Sequence, residues 1–150
     1  EIKDKKILIL GAGGVVPSII FALNKLEASE ITISNRTSKK AEDLKIQFNK
    51  INTVSWGEVP DFDMIINATS LGLNNETIDL NTSNIGEGKF FYDVIYNPNE
   101  TNFLKLGKKL GNQIENGKLM FIYQAFEAFR LWHGVEPNVS EKILTLLDHD

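Results

Sequence analysis

An α/β domain with a doubly wound, mostly parallel sheet is the fold class this sequence predicts, and three observations predict it. Short all-apolar or β-branched runs recur along the chain, bounded by turn residues. Segments with helical patterning fall between many of them. The first apolar run ends directly in glycines, at the junction where such a sheet feeds its first helix.

The elements follow in order. Ile7-Leu8-Ile9-Leu10 suits a strand buried on both faces. Pro17 to Glu27 reads as a helix with proline in its first turn. Ile31-Thr32-Ile33 is a second strand, and Ser38 to Asn49 a second helix with Ser38 as its expected cap. Asn52 to Ser55 is a weak third strand, Met64-Ile65-Ile66 a fourth and Phe90 to Val94 a fifth. A helix around Asn102 to Leu110 precedes a marginal sixth strand, Gln113-Ile114-Glu115. Helices at about Lys118 to Trp132 and Ser140 to Asp148 close the chain. No repeat, low-complexity tract or linker divides residues 1–150, which read as one domain.

Composition narrows the function classes. With 42% hydrophobic residues in 150, the chain can bury a core. A net charge of −4 argues against bulk nucleic-acid binding, which needs a basic surface. The sequence has no cysteine, which removes disulfides, thiolate metal sites and cysteine nucleophiles, and suits a cytoplasmic, reducing location. Its two histidines, His133 and His149, make a histidine-built metal site a poor expectation. No apolar run approaches the roughly 18 residues of a membrane span, and none near Glu1 resembles a signal peptide.

The glycine loop carries the first chemistry. Gly11-Ala12-Gly13-Gly14-Val15 joins a buried strand to a helix. There a glycine permits the tight turn, a second lets backbone approach a pyrophosphate, and the helix start offers free N–H groups. The third small position of G-x-G-x-x-[GA] is Val16, whose bulk should push the helix off the sheet or demand small neighbours. No Gly-Lys-[Ser/Thr] follows, so this is not a Walker-type loop.

The end of the second strand selects the dinucleotide. NAD sites place a carboxylate there for the ribose hydroxyls. This chain has Asn35, then Arg36, Thr37, Ser38, Lys39 and Lys40. Arg36 can pair with a 2′-phosphate through a forked contact, the hydroxyls add donors and the lysines add charge, so the expected cofactor is NADP. The plainer reading is a solvated basic turn capping a helix.

Two later blocks also follow strand ends, where ligands gather in open α/β sheets. They are Asn67-Ala68-Thr69-Ser70 and Tyr96-Asn97-Pro98, each readable as an ordinary turn. The helix Leu119 to Trp132 is apolar almost all round, except for Gln124, Glu127 and Arg130 on one stripe. Such a helix should leave a large apolar patch or bury it against another copy, which opens the prospect of a homo-oligomer. Met120, Phe126 and Phe129 read as packing residues and His133 as structural.

Together these blocks resemble the C-terminal NADP-binding domain of shikimate dehydrogenases, from Lys6 to about Leu147. The likeness rests on Gly11-Ala12-Gly13-Gly14, Asn35-Arg36-Thr37 with Lys40-Ala41, and Asn67-Ala68-Thr69-Ser70-Leu71-Gly72. It continues through Asp93-Val94-Ile95-Tyr96-Asn97-Pro98 with Thr101, and through Gly117, Met120, Gln124, Ala125, Phe126, Phe129, Trp132 and Gly134. The resemblance implies reversible NADP-dependent reduction of 3-dehydroshikimate to shikimate. It puts Gly11 to Val15 on the pyrophosphate and Asn35 to Lys40 at the 2′-phosphate. Ala68, Thr69, Val94 and Gly117 fall along the cofactor, and Tyr96 and Gln124 toward the substrate, on the same side of the domain as Gly13. The family's catalytic Lys–Asp pair lies in an N-terminal domain without counterpart here, so no catalytic residue transfers. The alternative is a stand-alone NADP(H)-binding or sensing module; a methyltransferase would want an acidic residue at Asn35.

Overall fold

The computed structural model describes residues 1–146; the expected extension of the last helix to Asp148, and His149, lie outside the described residues. Six strands form one sheet: β1 (Lys6–Leu10), β2 (Glu30–Ser34), β3 (Ile51–Val54), β4 (Met64–Asn67), β5 (Phe90–Asp93) and β6 (Gln113–Glu115). Their spatial order is β3-β2-β1-β4-β5-β6, and every neighbouring pair is parallel. The helices are α1 (Val16–Lys25), α2 (Ser38–Gln47), α3 (Asn102–Lys109), α4 (Lys118–His133) and α5 (Glu141–Leu146). No helix among the described residues is long and apolar enough to cross a membrane.

The run Ile7 to Leu10 explains why β1 is central. Successive strand residues point to opposite faces. Ile7 and Ile9 enter one core cluster with Val16, Ile20 and Ile33, while Leu8 and Leu10 enter another with Ile65, Phe91 and Leu104. All four strand residues are buried, each worth roughly 1.5–3 kcal/mol of transfer free energy. Only a strand covered on both sides can use an unbroken apolar run in this way.

The alternation of strand and helix is incomplete. Neither the β3–β4 nor the β4–β5 crossing contains a helix. Phe62, Ile78 and Leu80, from irregular segments, are buried in the second cluster and cover the sheet there. Val16 is fully buried in the first cluster, which also includes Ala41 and Ala68, and Ala12 packs against that cluster.

One cap is corrected. Thr37, not Ser38, is the N-cap of α2, with extended backbone (φ −99°, ψ 97°). The Asn35 side-chain amide donates to the Thr37 carbonyl at 2.8 Å and ties that residue down outside the helix, so Ser38 is already helical. No side chain caps this helix start.

Candidate dinucleotide site

The chain leaves β1 in one direction and β4 in the other, so the C-terminal ends of these neighbouring strands form a topological switch point. Gly11 makes the first turn there. Its φ is +107°, its N–H donates to the Ser34 carbonyl at 2.8 Å, and a Cβ would lie 2.8 Å from the Ala68 carbonyl oxygen. Conformation and packing both require glycine at this position. Gly13 and Gly14 differ: both are exposed, neither has left-handed backbone, and a Cβ on either would meet no protein atom within 4 Å. Protein packing gives no reason for glycine at these two positions, and the space above them is open. Behind them α1 begins at Val16, with Val15 as its N-cap, no side-chain cap bond and no acidic residue in its first turn. The cradle therefore fits a pyrophosphate, with backbone N–H groups and the positive helix end facing it.

Beside the cradle, the turn after β2 presents Arg36 and the first turn of α2 presents Lys39 and Lys40, all exposed and none in an ion pair with a described residue. Asn35 organises the turn through its bond to Thr37. Asn35 and Arg36 share a cavity of about 270 Å³ with Thr69, Ser70, Leu71 and Trp56. Sequence reasoning missed Trp56, a lone tryptophan in a loop with no motif around it. A cavity of about 300 Å³ lined by Lys5, Asp63, Phe90 and Gln113 opens at the other, N-terminal ends of the strands. Ligands do not gather on that edge in sheets of this type.

A buried polar network positions the β4 turn. Asn67 and Asp93 stand opposite each other at the ends of β4 and β5, and both are fully buried. The Asn67 amide donates to both Asp93 carboxylate oxygens, at 3.0 and 3.1 Å, and to the Leu71 carbonyl. The Asn67 carbonyl oxygen accepts from the Thr69 N–H and hydroxyl, at 3.1 and 2.7 Å. Asp93 also accepts from the Thr101 hydroxyl at 2.6 Å and the Ile95 N–H at 3.0 Å. Thr101 in turn caps α3 through the Leu104 N–H. Burial raises the Asp93 pKa above the usual carboxylate range, although its three donors pull the other way. One polar residue ending each of two adjacent apolar strands was the available sequence signal for this pair.

Downstream, Glu76 accepts from the backbone N–H groups of Asn74 (2.8 Å) and Gly72 (3.0 Å) and closes the turn after Thr69. These bonds, that to Asn74 foremost, hold its pKa at about 2, below the ordinary 4.5. A depressed carboxylate stabilises above its unfolded pKa and loses that contribution as pH falls through the folded one. The Gly72 and Asn74 amide resonances are therefore expected to titrate together with a midpoint near 2. A midpoint above 4 would show that Glu76 does not hold the turn.

The remaining expected site residues follow β5 and β6. A Cβ on Gly117 would press into the Val94 carbonyl group, and the Gly117 N–H donates to the Ile95 carbonyl at 3.1 Å. This pairs Val94 with Gly117 and gives the glycine a packing reason of its own. Tyr96 is half-buried and stacks on Phe121 of α4, ring centroids 4.7 Å apart. Gln124, one turn further along α4, is exposed and bonds to no described group, while Glu127 and Arg130 pair at 2.7 Å. Of α4 only Ile122 is buried; Tyr123 (65%), Leu131 (73%) and Trp132 (80%) stand exposed. His133 packs on the Phe129 ring at 4.4 Å and pairs with no acid among the described residues.

Fold and site together define a Rossmann-type α/β domain with its loops arranged as in nucleotide-binding proteins. Residues 1–94 match the shikimate/quinate 5-dehydrogenase family, and residues 119–141 match the shikimate 5′-dehydrogenase C-terminal domain. The chain belongs to the shikimate/quinate 5-dehydrogenase family, as the resemblance implied. It is 57% identical over 149 residues to the shikimate dehydrogenase (NADP(+)) of Pelagibacter ubique, covering 99% of this chain and 56% of that protein. Shikimate dehydrogenase from Thermus thermophilus, solved with NADP(H) and shikimate, superposes with a TM-score of 0.83 at 29% identity, over 99% of this chain and 55% of that one. Quinate dehydrogenase from Corynebacterium glutamicum, solved with NAD, gives 0.83 at 27% identity, over 98% and 56%. The chain thus spans a little over half the length of these relatives.

Proposed function

We propose that this chain is the NADP(H)-binding part of a dehydrogenase that interconverts 3-dehydroshikimate and shikimate. The observation that carries this reading is the turn after β2: Arg36, Lys39 and Lys40 stand without ion-pair partners among the described residues, and Asn35 occupies the carboxylate position of an NAD site. Gly11 to Val15 hold the pyrophosphate; Asn35, Arg36, Thr37, Ser38, Lys39 and Lys40 hold the 2′-phosphate end. Ala68, Thr69, Val94 and Gly117 line the path toward the nicotinamide, and Tyr96 and Gln124 face the substrate. The chemistry such a cofactor supplies is hydride transfer. Ketone reduction also needs a positioned proton donor. None of these side chains has that role, so we assign the donor to a separate domain of the enzyme. The cysteine-free sequence supports a cytoplasmic location.

Titration calorimetry tests the cofactor. Hydrogen bonds to charged groups contribute roughly 1.5–3 kcal/mol, and the solvent-exposed Arg36 belongs at the low end. NADP is expected to bind at least about tenfold tighter than NAD. Arg36→Ala should erase most of that preference and leave NAD affinity nearly unchanged. Equal affinities in the parent chain would remove the 2′-phosphate assignment.

A further inference from the structure

We propose that Trp56 and Arg36 are the two walls of a slot that takes the adenine ring, making Trp56 a positioning residue for the cofactor. The inference rests on the dinucleotide reading above and adds a residue to it. Trp56 and Arg36 line one cavity with Thr69 and Leu71, and the guanidinium makes no cation–π contact with the indole. At about 270 Å³ the cavity is just below the roughly 300–1,000 Å³ of pockets that hold whole drug-sized ligands, a size suited to one end of a dinucleotide.

The indole is held in place. Trp56 packs against the second core cluster, as do Val54 and Leu71, and is half-buried. The Ser34 hydroxyl donates to the Ser55 carbonyl at 2.9 Å, tying the Trp56 loop to the end of β2 that carries Arg36. The Glu58 N–H donates to the same carbonyl at 3.1 Å, and Gly57, with φ +83°, accepts from the Asn81 N–H at 3.0 Å. The indole N–H bonds to no described group, and Trp56 makes no ring–ring contact with a described residue. A flat, half-buried aromatic ring sharing a cavity with a guanidinium that has no ion-pair partner among the described residues suits a purine, which stacks on both.

The slot predicts a signature that differs from that of Arg36. NAD and NADP carry the same adenine, so Trp56→Ala should weaken both about tenfold, within the range of base–aromatic stacking, and leave their ratio unchanged. Trp56→Phe should restore most of the affinity. A Trp56→Ala chain that binds both cofactors as the parent does, or that loses NADP alone, overturns the slot.

Because Trp56 also packs on the core, a second measurement keeps it in place. The chain has two tryptophans, and Trp132 lies exposed on α4. In Trp132→Phe, emission reports Trp56 alone. Adenosine 2′,5′-bisphosphate and NADP are expected to quench it, saturating at the calorimetric Kd, and nicotinamide mononucleotide to leave it unchanged. Calorimetric NADP binding with unchanged emission overturns the slot and leaves the dinucleotide site standing. No NADP binding by calorimetry removes both.

Discussion

Gly13→Leu is expected to weaken NADP binding by at least about a hundredfold while changing folding stability by no more than about 0.5 kcal/mol. The two halves of this result have separate causes. On the stability side, Gly13 is exposed, lies outside the left-handed region, and would carry a Cβ that meets no protein atom within 4 Å. The leucine costs the unliganded fold almost nothing. On the binding side, the same open space is where, in the proposed site, backbone N–H groups approach a pyrophosphate. A side chain there displaces the ligand from two or more charge-assisted hydrogen bonds of roughly 1.5–3 kcal/mol each. Gly11→Ala supplies the contrast, because its φ of +107° and the Ala68 carbonyl 2.8 Å from the new Cβ make that position structural. It should lower the thermal midpoint markedly. Calorimetry and a thermal melt on the two variants separate these roles. Parent-like NADP affinity in Gly13→Leu would mean that NADP does not use the glycine cradle.

What was legible in the sequence follows from how local each signal is. The run Ile7 to Leu10 declares a strand covered on both faces because alternate residues must go to opposite cores, and they do. Arg36 was readable because its distance from the glycine loop is set by one βαβ unit of ordinary length. The excess apolar surface of α4 was readable from its composition, since no single sheet can cover every face of a helix. By contrast, Ser38 and Thr37 are both good caps, and the choice between them lies in the Asn35 side-chain bond, a feature of the folded turn. Trp56 was illegible for a similar reason. It shares a cavity with Arg36 only because β3 and β2 are neighbours and Ser34 pins the loop that follows β3. Asn67 and Asp93 carried a partial signal, two polar strand ends whose pairing depends on the β4–β5 register.

That pair underlies the last expectation. Asp93→Asn is expected to cost about 3 kcal/mol, because its amide would face the Asn67 amide and leave buried donors without an acceptor. The size of this cost should depend on pH, with a definite sign. Burial raises the folded-state pKa of Asp93, so the folded protein holds a proton that the unfolded chain has already released. The contribution of Asp93 to stability is then complete below its unfolded pKa and declines as pH rises through the raised value. Asparagine does not titrate. The penalty of the substitution should therefore be largest at acidic pH and shrink on going to neutral pH. Urea unfolding of both chains across that range reads the difference directly, and contributions from other groups cancel in the comparison. A penalty that grows with pH would show that the donors of Asn67, Thr101 and Ile95 outweigh desolvation and hold the carboxylate ionised. The same network fixes the Thr69 hydroxyl and the start of α3. Loss of Asp93 should thus also loosen the β4 turn that lines the proposed cofactor path.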